Sequence, residues 1–152
     1  MTRSVATGSQ PQCEVLSGAP TGEAAPLSLY SRFQQRLHRR YRDQLQLLRA
    51  GAPARDDLCE ALAALRAQGM ECGAALRVLR QLVMERLITL DCDQQAPLGV
   101  VTRAVTELAE VTLDAACTQA FTELEERHGT PLGPDGQRAQ LWVMGMGKLG
   151  GR

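Results

Sequence analysis

Lysine is all but missing from this chain: Lys148 is its only one, and arginine carries almost all of its positive charge. Net charge is absent too. Seventeen basic residues balance seventeen acidic ones, which removes any global electrostatic case for binding nucleic acid or an anionic membrane. Aromatic residues make up only 3% of the chain, fewer than a β-sandwich ordinarily carries, so its apolar content rests on Leu, Ala and Val. That mixture suits helices packed through leucine and alanine. No apolar run approaches the length needed to span a bilayer, and the first residues lack the hydrophobic segment of a signal peptide. The expected location is therefore the cytoplasm. Cys13, Cys59, Cys72, Cys92 and Cys117 are odd in number, widely spread and free of any C-x-x-C pair, which argues against a disulfide scaffold and a structural zinc site. They read as reduced thiols serving as small buried apolar residues.

Residues 1–26 are rich in Ser, Thr, Gly, Ala and Pro without an apolar period, and read as a disordered leader ending at Pro26. The pattern then turns helical. Leu29, Phe33, Leu37, Tyr41, Leu45 and Leu48 recur at steps of three or four, predicting one helix closed by Gly51 and Pro53. Its other faces carry Arg32, Arg36, Arg39, Arg40 and Arg42, which read as a solvated face answered by acidic residues elsewhere. A second helix is expected to start near Asp56 or Asp57, to bury Leu58, Leu62 and Leu65, and to end at Gly69. A third is expected from about Gly73 to Leu90, with Asp91, Cys92 and Asp93 forming a turn rather than a metal site. Pro97 suits the first turn of a long fourth helix running to Gly129, whose alanines (Ala104, Ala109, Ala115, Ala116 and Ala120) would let neighbouring helices approach closely.

After a Pro/Gly loop at residues 130–136 the period changes. Residues 139–144 are short, apolar and turn-bounded, as a buried strand should be, and run into Gly145-Met146-Gly147-Lys148-Leu149-Gly150-Gly151. A glycine turn at a strand's end exposes backbone N–H groups and lets a phosphate approach closely. The turn is not a P-loop, because G-x-x-x-x-G-K is absent and Leu149 stands where a magnesium-binding hydroxyl is needed. Gly145, Gly147 and Gly150 do satisfy G-x-G-x-x-G, which leaves open the start of a Rossmann dinucleotide-binding unit.

The run from Trp142 to Arg152, with its G-M-G-K-L-G-G-R, resembles the opening of the nucleotidyltransferase domain of the glutamine synthetase adenylyltransferase/adenylyl-removing family. The helix from Leu76 to Arg86, the stretch from Val101 to Glu110, and Tyr30-Ser31-Arg32-Phe33 resemble that family as well. The resemblance implies a mainly α chain: a bundle of about four helices over residues 27–130, leading at 131–152 into the first strand and Gly-rich turn of a truncated α/β nucleotidyltransferase domain. It implies that Gly145, Gly147, Lys148 and Gly150 lie near the nucleotide or phosphate. It further implies a bifunctional, multidomain transferase that adds AMP to a tyrosine of glutamine synthetase and removes it by phosphorolysis. ATP, ADP and phosphate would be its small reactants, Mg²⁺ its cofactor, and a PII-type nitrogen-signalling protein its regulator. This end would belong to the adenylyl-removing half. In the family the metals are drawn by aspartates of an S-D-I-D-L segment that follows the glycine turn. No such segment occurs in this sequence, and Asp91, Asp93, Asp114 and Asp135 do not stand in for it, so no catalytic or metal-ligating residue is expected here and the isolated chain is expected to be inactive. The other reading is a non-enzymatic helical module that docks glutamine synthetase or a PII-type regulator.

Overall fold

In the computed structural model, which describes residues 25–147, the apolar stripe at the N-terminal end does not form one helix. A 3₁₀ turn at Leu27–Tyr30 is followed by α1 (Arg32–Arg40) and a second 3₁₀ turn at Gln44–Leu47. Ser31 starts α1, its hydroxyl accepting the Gln34 N–H at 3.3 Å. The break after Tyr41 has a side-chain cause. Arg86 donates to the carbonyls of Leu48 at 2.8 Å and Leu45 at 3.3 Å, engaging backbone acceptors that a continuous helix would direct along its own axis. Leu48 is thereby seated in the core at 2% exposure, whereas Leu29, expected on the buried stripe, is exposed.

The next two helices follow the sequence more closely. Helix α2 (Arg55–Ala67) begins where the Asp57 carboxylate accepts the Ala54 N–H at 3.1 Å, and Asp56 and Asp57 lie at the positive end of its dipole. It ends at Gly69, whose φ of +86° is the left-handed conformation that glycine adopts without steric penalty. Helix α3 (Cys72–Ile88) is the central element, packed against α1, α2 and the following long helix. Leu79, Leu82 and Val83 are buried on it, meeting Leu58, Ala61 and Leu65 of α2. In place of the expected simple turn, α3 widens into a π-helical turn at Thr89–Asp93. The Gln94 N–H reaches back to the Thr89 carbonyl at 3.2 Å, the i to i−5 step that defines such a turn.

Pro97 caps the long helix α4 (Leu98–His128), and Gly129 at φ +80° ends it. Only Ala104, Leu108 and Val111 are buried on α4, so its second half holds no buried residue. Ala116 and Ala120, expected to admit a close neighbour, are exposed there. The cysteines also depart from expectation. Cys59 and Cys92 are exposed and Cys72 and Cys117 half-buried, all as free thiols, while Cys13 and the expected leader up to residue 24 lie outside the described residues. No described helix is long and apolar enough to cross a membrane.

Candidate functional site

The chain leaves α4 through a tight loop. Gly133 donates to the Gln137 carbonyl at 2.7 Å, Ala139 donates to the Pro131 carbonyl at 2.8 Å, and the Asp135 carboxylate accepts the Gln137 N–H at 3.1 Å. An added Cβ at Gly133 would lie 2.8 Å from the Asp135 Oδ1, so a larger residue there would displace that carboxylate. Leu132 and Arg138 form an isolated antiparallel bridge, and Arg138 pairs with Glu125 of α4.

Beyond that bridge the expected strand is not formed. Residues 139–144 belong to no helix or ladder, because a strand exists only by hydrogen bonding to a neighbour and the described residues offer none past Ala139. The segment is nevertheless apolar and strongly exposed: Leu141 63%, Trp142 81%, Val143 53% and Met144 84%. It runs beside α4. One cleft of about 300 Å³ lies between Phe121 and Trp142, and another of about 360 Å³ brings Leu141, Trp142 and Val143 to Arg55, Asp114 and Cys117. Arg55 of α2 spans this second cleft. It hydrogen-bonds Asp114 and sits 3.4 Å from Glu110, and the bond to Asp114 chiefly holds its guanidinium pKa above the ordinary value. This Arg55 bridge was not foreseen from the sequence, where only the spacing of Glu110 and Asp114 along one face of α4 hinted at a shared partner.

Of the four expected phosphate-site residues, Gly145 and Gly147 are described and Lys148 and Gly150 lie outside the described residues. Gly145 follows the apolar segment directly, and Gly147 has φ +65°, a left-handed turn that suits a glycine-bearing loop. Among the described residues no group of three or more His, Cys, Asp or Glu side chains could hold an ion, and the nearby Asp114 carboxylate is engaged by Arg55.

A second polar cluster joins α1 to α3. Glu85, 4% exposed, accepts from Gln34 Nε2 at 3.2 Å and pairs with His38 Nε2 at 2.8 Å, while Gln34 also reaches Thr89 Oγ1 at 3.2 Å. Asp93 on the π turn accepts the buried Ser28 N–H at 2.8 Å. The signal in the sequence was Glu85 itself, a charged residue amid the apolar stripe Leu82, Val83, Leu87.

The sequence model of the glutamate-ammonia ligase adenylyltransferase family matches residues 26–152, from the first 3₁₀ turn through the glycine turn. The chain belongs to that family. Among its relatives is the bifunctional glutamine synthetase adenylyltransferase/adenylyl-removing enzyme of Ralstonia nicotianae, 40% identical over an alignment of 148 residues that covers 90% of this chain and 15% of that protein. The enzyme of the same name from Aromatoleum aromaticum is 46% identical over 79 residues, 52% of this chain and 8% of that protein. The Chromobacterium violaceum enzyme, also of that name, is 45% identical over 78 residues, 51% of this chain and 9% of that protein. The chain thus spans a small fraction of the length of the relatives it matches. No solved structure matches it.

Proposed function

We propose that this chain forms the helical N-terminal region and the first glycine turn of an enzyme that adenylylates and deadenylylates glutamine synthetase. The carrying observation is that the family match runs without interruption from the helices into Gly145-Met146-Gly147-Lys148-Leu149-Gly150. In this reading residues 27–130 form the helical region, and residues 131–152 open a nucleotidyltransferase domain. The apolar, ladder-free segment at 139–144 becomes that domain's first strand once a neighbouring strand supplies its hydrogen bonds.

Gly145, Gly147 and Gly150 would let a phosphate approach the backbone N–H groups of the turn, and the Lys148 ammonium would meet a phosphate oxygen. This end would serve the adenylyl-removing half. There orthophosphate attacks the phosphorus of the adenylyl-tyrosine, the bond to the tyrosine oxygen breaks, and ADP leaves with the phenol regenerated. The Mg²⁺ that such a transfer requires would be held by carboxylates outside this sequence, so the isolated chain is inactive. Glutamine synthetase and a PII-type signalling protein are the partners of the complete enzyme, and the cytoplasm its location.

The test is to incubate adenylylated glutamine synthetase, phosphate and Mg²⁺ with the chain and, separately, with the complete enzyme that contains it. ADP release by the complete enzyme and none by the chain is expected. Release by the chain alone, or none by the complete enzyme, would contradict the proposal.

A further inference from the structure

Among the described residues the arginines around α1 form no ion pair. Arg32, Arg36, Arg39, Arg40 and Arg42 are all exposed, as are Arg77 and Arg80 of α3. Among the described residues the ion-paired arginines are Arg49, Arg55, Arg86 and Arg138, so none of these seven has a carboxylate partner. Asp43 follows Arg42 in the chain, and Glu85 is taken up by His38 and Gln34, while α4 carries many of the other acids (Glu107, Glu110, Asp114, Glu123, Glu125 and Glu126). Around α1 and α3, seven exposed arginines therefore stand without an ion-pair partner among the described residues.

Its shape narrows the partner. Arg32, Arg36 and Arg39 stand at i, i+4 and i+7, so they form a row along one helical face at steps of roughly 5–6 Å rather than a converging ring. Beside the row lies a cleft of about 490 Å³ with Phe33, Leu37 and Tyr41 among its apolar lining and Arg36, Arg39 and Arg40 among its basic lining. Gln81 of α3 also borders it, with Arg80 one residue and Arg77 one turn earlier on that helix. A single small anion would engage only part of such a row. Single-stranded nucleic acid would need open aromatic faces for its bases, yet Tyr41 is half-buried with the Arg40 guanidinium 5.3 Å from its ring centroid, and Phe33 is half-buried too.

We infer that this face of α1 and α3 docks an acidic amphipathic segment of a partner protein, its carboxylates spaced by about one helical turn along the arginine row and an apolar side chain seated in the cleft over Phe33, Leu37 and Tyr41. The guanidinium fork binds carboxylate in bidentate fashion, and a row of several such pairs gives register as well as attraction. This surface is independent of the glycine turn and of any transfer chemistry.

The test uses the 152-residue chain and a labelled synthetic helix bearing Glu at i, i+4 and i+7 with Leu at i+3, read by fluorescence anisotropy. Saturable binding is expected, weakened about 10-fold or more between roughly 50 and roughly 300 mM salt. The triple variant Arg32→Gln/Arg36→Gln/Arg39→Gln should lose binding by a similar factor while keeping its helical circular dichroism, since all three side chains are exposed. The reversal Arg32→Glu/Arg36→Glu/Arg39→Glu should instead bind the same helix with Lys in place of Glu. Arg103→Gln/Arg127→Gln on α4 should leave affinity unchanged. No binding of the acidic helix, equal binding of its Gln analogue, unchanged affinity of the triple variant, or tighter binding of an oligothymidine strand would each overturn the proposal.

Discussion

Glu85 and His38 meet at 2.8 Å across the α1–α3 interface, with the carboxylate 4% exposed and also bonded to Gln34 Nε2. Leu37 is the only buried apolar residue of α1, so this polar contact does much of the docking that leucines do elsewhere in the fold. A buried carboxylate stripped from its donors leaves them unpaired. Glu85→Ala should therefore destabilise the chain by about 2–3 kcal/mol, and Glu85→Gln, which keeps the shape and one acceptor, by about 1 kcal/mol. Urea unfolding followed by circular dichroism checks both, and equal losses in the two variants would count against a charge-assisted bond.

Asp93 closes the same end of the molecule by accepting the Ser28 N–H at 2.8 Å. Removing that acceptor with Asp93→Ala should cost about 1 kcal/mol. It should also speed hydrogen exchange at Ser28 while leaving α3 amides protected. Unchanged exchange at Ser28 would show that another group holds the first 3₁₀ turn in place.

Side-chain truncation should cost far more in the centre of α3 than on the second half of α4. Leu79→Ala in the centre of α3, where Leu79 is 0% exposed, should cost about 3 kcal/mol. Leu124→Ala, at 54% exposure on the second half of α4, should change stability by no more than about 0.5 kcal/mol. A large loss from Leu124→Ala would mean that the distal half of α4 is packed in solution.

Trp142 is the only tryptophan and is 81% exposed, which makes it a clean reporter of the apolar segment. In this chain its emission should be water-like and readily quenched by acrylamide. In the complete enzyme, where a neighbouring strand would cover residues 139–144, the emission of a variant retaining only this tryptophan should shift to the blue and resist quenching. Equal quenching in both proteins would remove the case for a strand there.

The legibility of the fold followed how local each cause is. Helices α2, α3 and α4 came through because apolar period, capping residues and terminal glycines are encoded within each segment, as at Asp57, Gly69 and Gly129. The break after α1 did not, since Arg86, on a helix far along the chain, captures the Leu45 and Leu48 carbonyls. The expected strand at 139–144 is not formed among the described residues for a related reason: composition reports that a segment is apolar, whereas a ladder depends on a partner. The arginines of α1 were read as a solvated face answered by acids elsewhere; they are exposed, but a neutral total says nothing of where the acids sit. At the candidate site the G-M-G-K-L-G-G-R run was visible at once in the sequence, while the Arg55 bridge to Asp114 and Glu110 required α2 and α4 to be brought together.

The central claim is that the glycine turn supplies only part of a nucleotide site, whose metal-binding acids come from outside these 152 residues. Calorimetric titration of the chain with Mg²⁺ and ADP tests it most directly. The account predicts no saturable heat up to roughly millimolar nucleotide, the upper end of ordinary substrate affinities. Tight binding that depends on Mg²⁺ would contradict it.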